Sequence, residues 1–82
     1  MPKNSDELLL TSLARKASTD GSGRTLREAQ HLTLREVAEA LQTSAASLSR
    51  WETGRNSPKG WRAVMYGSAI AAWLAVAEAE RG

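Results

Sequence analysis

Two short amphipathic stretches, separated by only a few residues, constrain this chain more than any other feature. Thr33 is followed three residues later by Glu36. That is capping-box spacing, in which two otherwise unpaired backbone donors are satisfied reciprocally. Leu34, Val37, Ala38 and Leu41 then recur at helical spacing, with Arg35, Glu36, Glu39 and Gln42 between them. The spacing predicts a helix that stops at Gln42 or Thr43. Ser44 is placed to cap a second helix over 45–53, with Leu48 and Trp51 inward and Ala45 tucked beneath. Gly54 suits a terminator, because glycine enters the left-handed conformation freely. Two helices of roughly ten residues, joined by about three, make a helix-turn-helix candidate over 33–53.

The flanking segments read as further helices. Residues 1–5 are expected to form a disordered tip and 6–82 a single helical domain. A first helix runs from Glu7 to about Ala17, capped by Ser5 or Asp6. Leu9, Leu13 and Ala17 share one of its faces, with Leu10 beside them and Leu8 widening it. Residues 18–23 combine two glycines with small polar residues and predict a turn. A short helix over 24–30 follows, carrying Leu26 and Ala29, with Leu32 closing behind. Residues 55–58 read as a polar loop, and Pro58 as part of the first turn of a last helix that reaches Glu80. Gly67-Ser68 marks a bend or break, so one kinked helix and two helices both fit. The stretch 69–79 is apolar on more than one side. It can pack on the first helix, form a dimer interface, or do both, with Trp61, Ile70, Trp73 and Leu74 as candidate interface residues. The expected fold is all-α: a compact bundle of four to five helices containing a helix-turn-helix, with an extra N-terminal helix and a long or kinked C-terminal one.

Composition narrows the chemistry. A chain of 82 residues cannot build two independent cores. Cysteine is lacking and His31 is the only histidine, which removes thiolate sites, disulfides and clustered imidazoles. His31 falls where a short helix turns and is expected to face solvent. Glu28, Glu36, Glu39 and Glu52 lie on short amphipathic helices, and nothing predicts a cleft holding two of them together. No spacing matches a metal site. No metal, cofactor or enzymatic activity is therefore expected. No apolar run approaches the roughly 20 residues a membrane span needs, and no secretory leader is evident. The expected location is the cytoplasm.

Charge is concentrated in one place. Residues 44–62 carry Arg50, Arg55, Lys59 and Arg62 against Glu52 alone, while the other windows are nearly balanced. A basic edge of this kind suits phosphate, although a solvated surface can also look so. A helix presented N-terminus first to the major groove offers its side chains to base edges. On the helix from Ala45, the face away from Leu48 and Trp51 carries Ala46, Ser47, Ser49, Arg50 and Thr53. Arg50 is the one long donor there, for guanine or for phosphate. Ser44 and Ser49 suit phosphate or base, and the alanines can touch only a thymine methyl. Thr33, Leu34 and Arg35 begin the preceding helix, which would cross the DNA backbone. Arg55, Asn56 and Lys59 flank the pair and suit phosphates.

The stretch LTLREVAEALQTSAASLSRWETG, with Pro58 after it, resembles the lambda-repressor and Cro-like helix-turn-helix family over about residues 24–74. Thr33 sits at that family's cap, and Val37-Ala38 resembles its Leu-Ala pair. Leu48 matches its aliphatic plug and Ser44 its second cap. Glu52, Gly54 and Pro58 match its Glu-x-Gly followed by proline. Gln42 and His31 stand where the family carries glycines. The resemblance implies a structural ion pair between Arg27 and Glu52. It implies base-contacting positions at Ala45, Ala46, Ser49 and Arg50, and a phosphate position at Leu34. It also implies backbone contacts from Arg55, Asn56 and Lys59. The expected function is a sequence-specific regulator of transcription that binds double-stranded DNA, a small repressor or Cro-like protein acting as a dimer. The alternatives are a protein-interaction module of antitoxin or adaptor type, which would use the C-terminal helix, and an accessory DNA protein in recombination.

Overall fold

Five helices account for all the regular structure in the computed structural model, which describes residues 5–81. They are α1 (Ser5–Asp20), α2 (Ser22–Ala29), α3 (Leu34–Ala40), α4 (Ala45–Glu52) and α5 (Trp61–Arg81). Helices α1 and α5 make the most extensive pairing, and α2, α3 and α4 complete the bundle. One buried cluster joins Ala14 and Ala17 of α1 to Val37, Ala38 and Leu41 around α3. It continues through Leu48 and Trp51 of α4 to Ala63, Tyr66 and Ile70 of α5. The Trp51 and Tyr66 rings meet with centroids 5.4 Å apart at 44°, a tilted geometry that the ring quadrupoles favour.

Several sequence expectations are corrected at the N-terminal end. Ser5 belongs to α1, and residues 1–4 of the expected tip lie outside the described residues. Ser5 and Asp6 lie within α1, whose start falls at the edge of the described residues. The inward face of α1 is built from Ala14 and Ala17, with Leu10 and Leu13 partly buried. Leu9 was expected inward but is 60% exposed, and Leu8 is 65% exposed. The expected turn over 18–23 shrinks to Gly21, whose φ of 78° reverses the chain. The Asp20 carboxylate accepts the Ser22 amide at 2.8 Å there. Hydrogen bonding from Ser22, by its side chain first and its amide second, holds the Asp20 carboxyl below its ordinary range.

The last helix is one continuous element through Gly67 and Ser68, so the alternative of two helices is not found. Gly67 serves packing. A Cβ there would collide with the Leu10 carbonyl, so glycine lets α5 cross α1 backbone to backbone. Gly23 does the same beside the Tyr66 hydroxyl and stays inside α2. The helix also starts later than expected, at Trp61. Pro58 is buried ahead of it and Gly60, at φ 60°, makes the final turn in.

Helices α2, α3 and α4 all end by the same device. In each, an amide reaches back five residues: Leu32 to the Arg27 carbonyl, Thr43 to Ala38 and Arg55 to Arg50, at 3.3, 2.9 and 2.9 Å. The residue just before each of these amides is left-handed: His31 at φ 60°, Gln42 at 57° and Gly54 at 77°. Such a cap satisfies the last helix carbonyls and favours glycine. Only the third site has one. Helix α3 accordingly stops at Ala40, short of the expected Gln42 or Thr43.

Candidate nucleic-acid interface

Helix-turn-helix geometry is set here by two caps and a buried hinge of apolar side chains. The Thr33 hydroxyl accepts the Glu36 amide at 3.0 Å, and the Glu36 carboxylate accepts the Thr33 amide at 2.9 Å. The Ser44 hydroxyl accepts the Ser47 amide at 3.0 Å and donates to the Ser47 hydroxyl at 3.1 Å. Each cap satisfies backbone groups that the start of a helix leaves open. Between them the chain turns through left-handed Gln42. Val37 and Ala38 on α3, with Leu48 and Trp51 on α4, are buried together.

The far side of α4 is open. Ala45, Ala46 and Arg50 are exposed, and Ser47 and Ser49 are half-buried. Ala45 is thus on the outer face and not beneath Leu48. Thr33 and Arg35 are exposed at the start of α3, Ser44 is exposed ahead of α4, and Leu34 is half-buried against the core. Arg55, Asn56 and Lys59 are exposed in the loop that follows α4. Arg55, Asn56 and Lys59 also line one concavity of about 700 Å³, together with Thr43, Ser47 and Arg62.

A buried ion pair fixes α4 to α2. Arg27 Nε donates to Glu52 Oε2 at 2.6 Å, and Nη2 donates to Oε1 at 3.1 Å. The remaining Nη1 donates to the Leu32 carbonyl at 2.8 Å. Arg27 is 7% exposed and Glu52 6%. The bonds to Glu52 raise the Arg27 pKa above its ordinary value, with burial opposing them. Tyr66 lies within their field. Burial first, then the Glu52 charge, push its phenol up to about 12, while Arg27 pulls the other way. Its hydroxyl is buried without a hydrogen-bond partner.

The candidate interface residues on α5 fall into different environments. Ile70 is 1% exposed and belongs to the core, so it cannot face a partner. Trp73 is half-buried against that core, Leu74 is exposed, and Trp61 is 50% exposed. His31 is exposed at the end of α2, as the sequence suggested. Sequence reasoning did not single out Arg62. Its Nη2 and Nε donate to the Gln42 carbonyl at 3.0 and 3.3 Å, and its guanidinium stacks 4.5 Å from the Trp61 ring centroid. Its place in the basic window 44–62 was the available signal.

Among the described residues, no helix is long and apolar enough to cross a membrane.

A capped helix pair with its second helix bared on one side and a basic loop beside it defines a helix-turn-helix module. The chain belongs to the helix-turn-helix domain family, whose model matches residues 24–81. The match runs from the third residue of α2 to the end of α5 and leaves α1 outside. No curated protein and no solved structure matches the chain. Fold and family together make it a DNA-binding regulatory module of the helix-turn-helix type.

Proposed function

We propose that this chain is a sequence-specific, double-stranded DNA-binding regulator of transcription, of the small lambda-repressor or Cro-like kind, acting in the cytoplasm. The observation that carries this function is the bared face of α4, where Arg50 stands exposed between buried Leu48 and Trp51 and the basic loop. In the major groove, α4 offers Ala45, Ala46, Ser49 and Arg50 to base edges. A bidentate contact from Arg50 to guanine is worth about 1–3 kcal/mol of discrimination. The alanines can add only apolar contact with thymine methyls. Thr33, Leu34, Arg35, Ser44, Ser47, Arg55, Asn56 and Lys59 hold the backbone and set the register. The protein acts as a dimer on half-sites about one helical turn apart.

A second function rests on a separate observation. A groove of about 510 Å³ between α1 and α5 sets Leu8, Trp61, Val64 and Met65 beside Glu7, Thr11 and Arg15, a mainly apolar lining with charged residues that suits a protein partner. Salt separates the two. DNA binding weakens steeply as salt rises, because bound phosphates release counterions.

The test is selection of duplexes from a random pool at low salt, repeated with Arg50→Ala. An enriched inverted repeat that loses definition at one or two base pairs with Arg50→Ala is the expected result. Failure to enrich any sequence would reject sequence-specific recognition and favour the adaptor role.

A further inference from the structure

The concavity beside α4 is built differently from a solvated basic surface. Its lining brings Arg55, Lys59 and Arg62 together with the hydroxyls of Thr43 and Ser47 and the amide of Asn56, and contains no carboxylate. Buried Trp51 and Pro58 form part of its wall. Among the described residues no carboxylate lies within ion-pair distance of Arg62. Its guanidinium is nevertheless fixed, because two of its nitrogens hold the Gln42 carbonyl and its plane lies over Trp61. A guanidinium has five N–H donors. Both hydrogens on Nη1 and one on Nη2 remain for another acceptor.

We propose that this concavity seats one DNA backbone phosphate, with Arg62 binding the phosphate and the helix-turn-helix turn at the same time. The proposal rests on the DNA-binding function above and adds a residue and a mechanism to it. Gln42 is the left-handed residue between α3 and α4. An arginine clamped on its carbonyl ties that turn to the start of α5. A phosphate on the same guanidinium is therefore registered against the turn that aims α4. Little side-chain freedom remains to be lost when it binds, which favours affinity. Thr43 and Ser47 offer hydroxyl donors on the α4 side, and Arg55 and Lys59 add charge from the loop.

The experiment measures binding of the full chain to a mixed-sequence duplex by fluorescence anisotropy across a range of salt. Arg62→Gln is expected to flatten the slope of log K against log salt by about 0.9, the value for one lost phosphate contact. At 0.1 M salt this corresponds to roughly eightfold weaker binding. Arg62→Lys keeps the charge and should keep the slope, while shifting the amide signals of Gln42 and Thr43 as the two-pronged clamp is lost. Arg81→Gln, at the far end of α5, should leave the slope unchanged. An unchanged slope in Arg62→Gln would reduce Arg62 to a structural clamp and overturn the proposal. Equal flattening by Arg81→Gln would overturn it too, by making net charge the cause. Absence of any wild-type binding to the duplex at low salt would instead refute DNA binding itself, a result distinct from both. If Arg62→Gln does not fold, the wild-type protein is titrated with inorganic phosphate and its arginine side-chain NMR signals are followed. Arg62 should shift before Arg81, and parallel shifts would overturn the proposal. Saturation by inorganic phosphate that leaves duplex binding undiminished would also overturn it, because the site would then hold a free anion and not the DNA backbone.

Discussion

Removing Arg27 should cost more stability than removing Glu52, although the two share the same bonds. Taking one partner from a buried ion pair typically costs about 3–5 kcal/mol, because the other charge is left without compensation. The surroundings of the two charges differ. Without Glu52, Arg27 still donates to the Leu32 carbonyl and keeps the half-exposed Glu28 carboxylate 4.0 Å away. Without Arg27, Glu52 is left 6% exposed with no other basic group in ion-pair contact among the described residues, and the Leu32 carbonyl also loses its donor. Arg27→Met should therefore fall near the top of the range and Glu52→Leu about 1 kcal/mol lower, the net worth of a typical hydrogen bond. Replacing both together should cost far less than the two single changes combined, since an apolar pair needs no compensation. For 82 residues the whole stability is about 4–12 kcal/mol, so Arg27→Met could leave a chain that is barely folded. Urea unfolding followed by tryptophan fluorescence measures all four forms, with circular dichroism confirming two-state behaviour. Equal losses from the two single variants would refute the asymmetry. Losses under about 1 kcal/mol would show that water screens the pair.

Three further predictions follow from the packing. The Tyr66 phenol is raised to about 12 from 10.0. The folded state therefore holds this proton after the unfolded chain has released it, and stability falls as pH rises from about 10 through 12, by up to about 3 kcal/mol. Tyr66 is the only tyrosine, so its phenolate absorbance reports it alone, and Tyr66→Phe should remove this component of the pH dependence. Gln42→Gly and His31→Gly should each stabilise the fold by about 0.5–1 kcal/mol in urea unfolding. Relief of a left-handed conformation costing about 1–2 kcal/mol exceeds the extra freedom glycine gives the unfolded chain. Gly67→Ala should destabilise by about 1–3 kcal/mol despite its better helix propensity, because backbone at Leu10 cannot move aside as a side chain can. Thermal melts of Gly67→Ala beside the exposed Ser68→Ala check this, and a stabilised Gly67→Ala would refute the close crossing of α5 on α1 at that point.

What the sequence disclosed depended on how far apart the interacting residues lie. The Thr33 and Ser44 caps are satisfied within three residues, so their spacing alone locates α3 and α4. Gly54 was legible for the same reason, since the cap it completes is formed by its immediate neighbours. Gln42 and His31 adopt the same backbone without glycine. There the geometry of the helix end and the core behind it overrides local preference, and the helix boundary moved with it. Gly67 reverses the case. Its residue type suggested a bend, but its reason is the Leu10 carbonyl on another helix, which no local pattern encodes. The exposure of Leu8 and Leu9 has a similar origin. Leu9, Leu13 and Ala17 and the pair Ala14 and Ala17 fit helical spacing equally well, and the close crossing at Gly67 selects the small residues.

The same distinction separates the functional residues. Arg50 could be read from the sequence because an outward position on a short capped helix follows from where Leu48 and Trp51 point inward. Arg62 could not, because its importance comes from a carbonyl twenty residues earlier. That carbonyl is placed by the left-handed Gln42 and reached only because α5 starts at Trp61. Gln42→Gly keeps the carbonyl and should keep the clamp, whereas a helix begun at Lys59 would turn Arg62 elsewhere. The loop from Arg55 to Gly60 thus does more than carry charge. Its length and its left-handed Gly60 decide which cation of the basic window faces the turn.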